Sequence, residues 1–360
     1  MTVNGKKGRF QHPDQGAHRC TLCPRDCLIK PGRRGFCYVR SAEPDGIYLT
    51  TYGRSSGFCI DPIEKKPLNH FLPGTSVLTF GTAGCNLGCK FCQNWDISKA
   101  RSWDKLSQRA SPKAVAQAAK DHQCSSVAFS YNDPVIFAEY AIDVAHACHE
   151  LGIKTVAVSA GYITPEARPE FFSVMDAVNI DLKGFSEHFY KSLALGKLQP
   201  VLETLKYLAE QPDLWLEITT LLIPGENDHP DELHQLTEWI YANLGPNVPL
   251  HFSAFHPDFK MLDTPATPHQ TLKGARGIAR HNGLNFVYLG NVHDKEGDTT
   301  FCPGCKKQVI ERDWYELGKY QMNGPHCAHC HHPIPGVFSS EKGTWGRRRQ
   351  VVDMSQYSHL

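Results

Sequence analysis

The chain has 360 residues, of which 41% are hydrophobic, and a formal net charge of +1. That length and apolar share support a sizeable buried core and exclude global disorder. The near-neutral charge gives no support to a general nucleic-acid or anionic-membrane role. No apolar run approaches the roughly 18 residues that a spanning helix needs. The opening stretch MTVNGKKGRFQHPDQG lacks the apolar segment of a secretory signal. The expected setting is cytoplasmic and away from membranes. In that setting fourteen cysteines read as metal or redox ligands before they read as disulfides.

In chain order the first feature is a Cys-rich N-terminal segment, residues 1–72. Cys20, Cys23, Cys27 and Cys37 lie there among prolines and glycines. A zinc knuckle and an auxiliary iron–sulfur cluster both suit this spacing. Cys59 follows in a Gly/Ser-rich stretch and reads as a free thiol. Cys124 and Cys148 fall on or near helices and read as core residues.

Residues 73–295 alternate β-rich runs with amphipathic helical runs. Strands are predicted at 77–80, 126–129, 155–158, 178–181, 215–222, 250–255 and 286–289. Ser111-Pro112, Asp133-Pro134 and Thr164-Pro165 each offer an N-cap followed by proline at the first helical position. Pro230-Asp231 opens a further helix reaching Leu244. Alternation of this kind predicts βαβ units and a parallel sheet. About six such units suit an α/β fold of full or partial (β/α) barrel type. Functional residues are then expected on the loops that follow the strands.

The loop after the first of these strands reads GTAGCNLGCKFCQNW. Its C-x3-C-x2-C spacing puts Cys85, Cys89 and Cys92 on one turn, with Phe91 before the last. Three thiolates this close can hold three corners of an iron–sulfur cubane and leave the fourth iron open. Zinc sites more often show paired C-x2-C halves. Later strand ends carry further candidates. Asp181 and Lys183 flank Leu182, and alternation puts both on one face.

Residues 296–345 hold a second pattern. Cys302-x2-Cys305 and Cys327-x2-Cys330 are paired halves separated by 21 residues. This is zinc-ribbon spacing, and the expected ion is a structural zinc. A rubredoxin-like iron or a further cluster is the alternative. Arg347, Arg348 and Arg349 then form a basic run, expected to be a solvated tail.

Several strings together carry a family likeness. They are DPIEKKPLNHFLPG (61–74), CNLGCKFCQNWDIS, SYNDP (130–134), NIDLKGF (179–185), LIPGEND (222–228), HFSAFHPD (251–258) and YLGNV (288–292). The chain resembles the radical S-adenosylmethionine (SAM) proteins of the AmmeMemoRadiSam system, which are related to pyruvate formate-lyase activating enzymes. The resemblance implies a [4Fe–4S] cluster on Cys85, Cys89 and Cys92, with SAM chelating the open iron. Reductive cleavage of SAM would give a 5′-deoxyadenosyl radical that abstracts hydrogen from a substrate. It implies that Asp181 and Lys183 face the SAM methionine moiety, with Lys183 on its carboxylate. It places Asn132 and Asp133 where the SAM amino group is bound, although the acid expected there is Glu. It sets His256 near the SAM carboxylate, Ser159 in the SAM pocket and Phe91 near the adenine. Asp133 is equally suited to capping the helix after it. An electron donor such as flavodoxin or ferredoxin is implied. Memo-like and AMMECR-type proteins are implied as partners. The competing reading is a nucleic-acid-binding or RNA-modifying protein built on zinc ribbons at both ends.

Overall fold

Strand β1 (Phe58–Pro62) and strand β2 (Ser76–Phe80) run antiparallel, with Phe58 facing Phe80 and Pro62 facing Ser76. These are coordinates of a computed structural model, which describes residues 5–100 and 108–360. From β2 onward the sheet is parallel: β3 (Ser126–Phe129), β4 (Lys154–Ser159), β5 (Ala177–Asp181), β6 (Trp215–Leu222), β7 (Leu250–Ala254) and β8 (Val287–Gly290) follow in spatial order. A last strand, β9 (Gln350–Val352), pairs antiparallel with β1. The nine strands run β8-β7-β6-β5-β4-β3-β2-β1-β9, and no pairing joins β8 to β9 among the described residues. The barrel is therefore partial.

Helices return the chain between parallel strands: α1 (Pro112–Asp121), α2 (Ala138–Glu150), α3 (Arg168–Phe172), α4 (Gln199–Ala209), α5 (Pro230–Leu244) and α6 (His269–His281). The cap signals explain where several of them start. Ser111 Oγ accepts the Ala114 N–H at 3.1 Å, with Pro112 next in the chain; such a cap is worth about 1 kcal/mol. The Thr164-Pro165 signal behaves differently. Thr164 donates its hydroxyl to the Thr21 carbonyl at 2.6 Å, and α3 begins only at Arg168. The hydroxyl is used to tether the N-terminal segment instead of capping.

The parallel strands are buried on both faces, as helix-covered sheets require. Phe80 of β2 anchors an aromatic cluster, with ring centroids 5.0 Å from Phe58, 5.6 Å from Phe129 and 5.5 Å from Tyr140. Each such ring contributes about 1.5–3 kcal/mol by leaving water.

The stretch between β1 and β2 is held by a buried carboxylate. Glu217 on β6 accepts the backbone N–H groups of Asn69 and His70 at 3.0 and 2.7 Å, and His251 Nε2 at 2.6 Å. Burial opposes its charge, but His251 and the other donors outweigh it and hold the carboxyl below its usual range. The C-terminal segment locks onto the same stretch: buried Arg312 donates to the Asn69 carbonyl at 2.6 Å and to Thr300 Oγ1 at 2.8 Å.

Two expectations are refined here. Cys59 is a free thiol, as expected, but it lies on β1 and is buried in the sheet. The Arg347–Arg349 run is solvent-exposed, as expected, but it is not a loose tail. Arg347 pairs with Glu316 at 2.9 Å, Arg348 stacks over Trp345, and Arg349 donates to Cys59 Sγ at 3.3 Å. The run leads into β9, which covers an edge of the sheet that would otherwise stay unpaired. The sheet thus draws on residues on both sides of the 73–295 stretch expected to form it. No helix among the described residues is long and apolar enough to cross a membrane.

Candidate active site

The cysteine loop leaves the end of β2 and is pinned from three sides. Asn132, on the loop after β3, accepts the Thr82 N–H at 3.0 Å and donates to the Gly84 carbonyl at 2.8 Å. The Gly88 and Lys90 N–H groups donate to the carbonyls of Ala194 and Leu193, each at 2.9 Å. Those carbonyls belong to a π-helical turn, Tyr190–Ala194. Lys99 Nζ donates to the Leu87 carbonyl at 2.9 Å. The result is a rigid turn that presents Cys85, Cys89 and Cys92 to a cavity of about 390 Å³. That volume lies within the range of small-molecule and cofactor pockets.

Opposite the cysteines the cavity is lined by Asp133, Asp181 and Lys183, with Phe91 beside them. Each arrives from the C-terminal side of a parallel strand, where a β/α barrel places its chemistry. Lys183 Nζ lies 3.0 Å from Asp181 Oδ2, and its N–H donates to the Tyr190 hydroxyl at 3.2 Å. Burial works against the ammonium charge, yet Asp181 and Cys89 outweigh it and raise Lys183 above its usual range. Burial pushes the Cys89 thiol up to about 12. Phe91 is buried, 5.7 Å from Phe189, with Lys183 Nζ 5.9 Å from its ring centre.

Asp133 serves two strands at once. Its Oδ1 accepts the Val135 N–H and the Ser159 hydroxyl, both at 3.0 Å, and its Oδ2 accepts the Ala160 N–H at 3.1 Å. The carboxylate therefore caps the turn after it and ties the β3 end to the β4 end. Burial pushes its carboxyl up to about 6. Ser159 stands behind Asp133 and does not line the cavity. His256 stays outside as well: its side chain is 59% exposed. It accepts from Gln93 Nε2 at 2.9 Å, and Gln93 lines the cavity next to Cys92.

Sequence reasoning missed three members of the wall. Lys66 is buried and pairs with Asp61 at 2.9 Å; burial lowers its pKa to about 8 against the pull of Asp61. Tyr131 donates its hydroxyl to the same Asp61 at 3.2 Å, from a left-handed backbone with φ 72°. Tyr315 enters from the C-terminal segment. The only local signal was the pair of lysines four and five residues after Asp61, on one turn. Tyr315 carried no signal.

The Radical SAM superfamily profile matches residues 80–237, the stretch that supplies the cysteine loop and most of the cavity. The chain belongs to the radical SAM superfamily. It is 40% identical over 303 residues to the "Uncharacterized protein MJ0808" of Methanocaldococcus jannaschii, covering 84% of this chain and 90% of that protein. It is 24% identical over 218 residues to the pyruvate formate-lyase-activating enzyme of Clostridium pasteurianum, covering 60% of this chain and 82% of that one. Among solved structures it is similar to a domain of the pyruvate-formate lyase-activating enzyme from Bacteroides vulgatus, at 18% identity and a TM-score of 0.42. That likeness covers 46% of this chain and 99% of that domain. As a radical SAM enzyme the protein cleaves SAM reductively by a radical mechanism, which implies a [4Fe–4S] cluster and a reductant such as flavodoxin or ferredoxin.

The donor set fits the superfamily's cofactors. A cubane sets each thiolate on a different iron, so its sulfurs stand farther apart than around one ion. Among the described residues, the Cys85, Cys89 and Cys92 sulfurs do not close to the 4.8 Å mutual spacing of a single-ion site. Among the described residues, no fourth cysteine and no histidine lines the cavity, which leaves a fourth iron there without a thiolate from them. The C-terminal cysteines differ. Cys302, Cys305, Cys327 and Cys330 do lie within 4.8 Å of one another. Sγ separations are 3.6 Å for Cys302–Cys330 and 3.8 Å for Cys305–Cys327. A tetrahedral ion bound to sulfur at about 2.3 Å has an edge of about 3.8 Å.

Proposed function

We propose that Cys85, Cys89 and Cys92 are the protein ligands of the [4Fe–4S] cluster, and that the cavity they border binds SAM for hydrogen abstraction from a protein substrate. The carrying observation is that Asp181 and Lys183 line the same cavity as the three cysteines. When bound, the cluster supplies the electron that breaks the SAM carbon–sulfur bond and yields the 5′-deoxyadenosyl radical. The protein's residues then bind, orient and exclude water. The Lys183 ammonium, held by Asp181, meets the SAM carboxylate. Asp133 braces the loop after β3, so that backbone groups near Asn132 face the SAM amino group while the carboxylate stays engaged as a cap. Phe91 gives the adenine an apolar wall. His256 acts from the rim through Gln93.

A protein substrate is carried over from the relative in Clostridium pasteurianum, named for activating pyruvate formate-lyase. The motif strings of the AmmeMemoRadiSam system support Memo-like and AMMECR-type proteins as candidate partners. The C-terminal quartet takes zinc in this reading, because its sulfur spacing fits one tetrahedral ion. Residues 1–72, 73–295 and 296–345 supply the N-terminal segment, most of the barrel and the ribbon, with Phe58–Pro62 and Gln350–Val352 adding two strands to the barrel sheet. Free thiols throughout support a reducing, cytoplasmic setting.

The test is anaerobic reconstitution with iron and sulfide, reduction, and incubation with SAM. Formation of 5′-deoxyadenosine supports the reading, and its absence from a fully loaded, reduced protein overturns it.

A further inference from the structure

One group of four clustered cysteines, Cys20, Cys23, Cys27 and Cys37, is left without a role by that reaction. Cys20 and Cys27 face each other across an antiparallel pair, Ala17–Cys20 against Cys27–Ile29. Cys23 sits in the turn between them, and Cys37 comes from the next loop. All four border one pocket, together with Leu22 and Ile136. The site is sheltered, with Arg25, Arg40 and Asn86 also on its wall: Cys20 and Cys37 are buried, and Cys23 and Cys27 are half-buried.

The spacing distinguishes this site from the C-terminal quartet. Among the described residues, no three of its sulfurs reach the mutual 4.8 Å spacing that the ribbon cysteines reach. Four thiolates that share a pocket, yet stand wider than one ion allows, suit a polynuclear cluster better than a single ion. With four protein thiolates every iron is saturated, so this site has no vacancy for SAM or substrate.

It also touches the SAM-cluster loop. A Cβ on Gly84, which has φ +84°, would lie 2.1 Å from the Cys37 carbonyl oxygen. Arg25 Nε donates to the Asn86 carbonyl at 2.8 Å, and Asn86 borders the N-terminal pocket. Gly84 and Asn86 are the two chain neighbours of Cys85. We propose that Cys20, Cys23, Cys27 and Cys37 bind a second [4Fe–4S] cluster, fully ligated by protein, that exchanges electrons with the cluster at Cys85. A low-potential one-electron donor reduces the second cluster. That electron passes to the first cluster, and the second returns to its oxidised state.

This inference rests on the proposed assignment of Cys85, Cys89 and Cys92 only for the exchange, not for the second cluster itself. The full chain carrying Cys85→Ala, Cys89→Ala and Cys92→Ala together is reconstituted anaerobically, and metals and sulfide are counted. The result expected is about four iron and four sulfide per chain, half the wild-type load, with a cluster EPR signal on reduction. Zinc without iron or sulfide at that site overturns the second cluster. An iron load equal to wild type instead overturns the assignment of the Cys85 trio. Cys20→Ser with Cys37→Ser is expected to halve the load from the other side. If that variant does not fold, the first count still decides. In reduced wild type the two clusters are expected to show spin–spin splitting that neither variant shows. Two reduced clusters without splitting overturn the exchange.

Discussion

Asn132 reaches from the end of one strand to the loop on the next, donating its amide to the Gly84 carbonyl at 2.8 Å. Its Oδ1 accepts from Thr82 on the same loop. Both bonds are buried. Asn132→Ala removes them and leaves a buried N–H and a buried carbonyl unpaired, at about 1–3 kcal/mol each. The loop should then hold its cysteines loosely. The expected outcome is a lower iron content after reconstitution and faster cluster loss in air. Unchanged iron retention would show that the loop does not depend on this clamp.

Cys89 lies deepest of the trio, between the two backbone bonds to the Tyr190–Ala194 turn. Cys89→Ala should abolish 5′-deoxyadenosine formation. The C-terminal cysteines form a separate cluster of their own, so zinc content should stay near wild type. Chromatography of the reaction and metal analysis of the same sample read both. Equal turnover in the variant would sink the ligand assignment.

Much of the barrel was readable in the sequence because its signals are local. Strand β6 and helix α5 run over the residues that the apolar run and the Pro230-Asp231 start indicated. The cysteine spacing was likewise contained in one loop. What local pattern could not carry was contact between distant segments. Asp133 was read as a cap or a SAM ligand, and its bridge to Ser159 and Ala160 required the β3–β4 pairing. Lys66 stood only inside a motif string, and it took burial beside Asp61 to put it in the cavity wall. The arginine run is solvated as read, but its contacts with Glu316 and Cys59, and the pairing of β9 with β1 across almost 300 residues of chain, lay beyond local pattern. Tyr315 enters the wall from a segment whose pattern spoke only of metal.

Lys183 provides the next test. A charge-assisted bond from its ammonium to a carboxylate is worth about 1.5–3 kcal/mol, a factor of roughly ten to one hundred in affinity. Lys183→Met should raise the Kd for SAM by that factor, with iron content unchanged. Titration calorimetry of the loaded protein measures it. Tight SAM binding in the variant would remove Lys183 from the site.

The ribbon cysteines bear on stability first. Their unit has a small core, built on Val309, Ile310, Met322 and Ile334, and small units lean on bound metal for folding energy. A chelator, or Cys305→Ser, should speed amide hydrogen exchange over 300–327 while the barrel strands stay protected. Because Tyr315 lines the cavity proposed for SAM, SAM affinity should fall too. Slow exchange after the metal is removed would make the quartet dispensable to the fold.

His70 ties the ribbon to the barrel and sets an acid limit. Its Nδ1 lies 2.7 Å from the Pro335 carbonyl, so Nδ1 must carry the proton and donate. Its Nε2, 2.6 Å from the Tyr288 hydroxyl, then accepts. Burial is the main cause that lowers this imidazole from 6.5 to about 4. The unfolded chain therefore binds a proton that the folded one refuses between those values. Stability from this group is full above pH 6.5 and is lost as the pH falls toward 4, on the order of 3 kcal/mol. His70→Phe should lower the melting temperature at pH 8, where two hydrogen bonds go. It should also flatten the acid limb, because the titrating group is gone. Thermal melts of both proteins from pH 8 to pH 4 check this. Parallel limbs would mean that His70 stays neutral without cost and that acid sensitivity resides elsewhere.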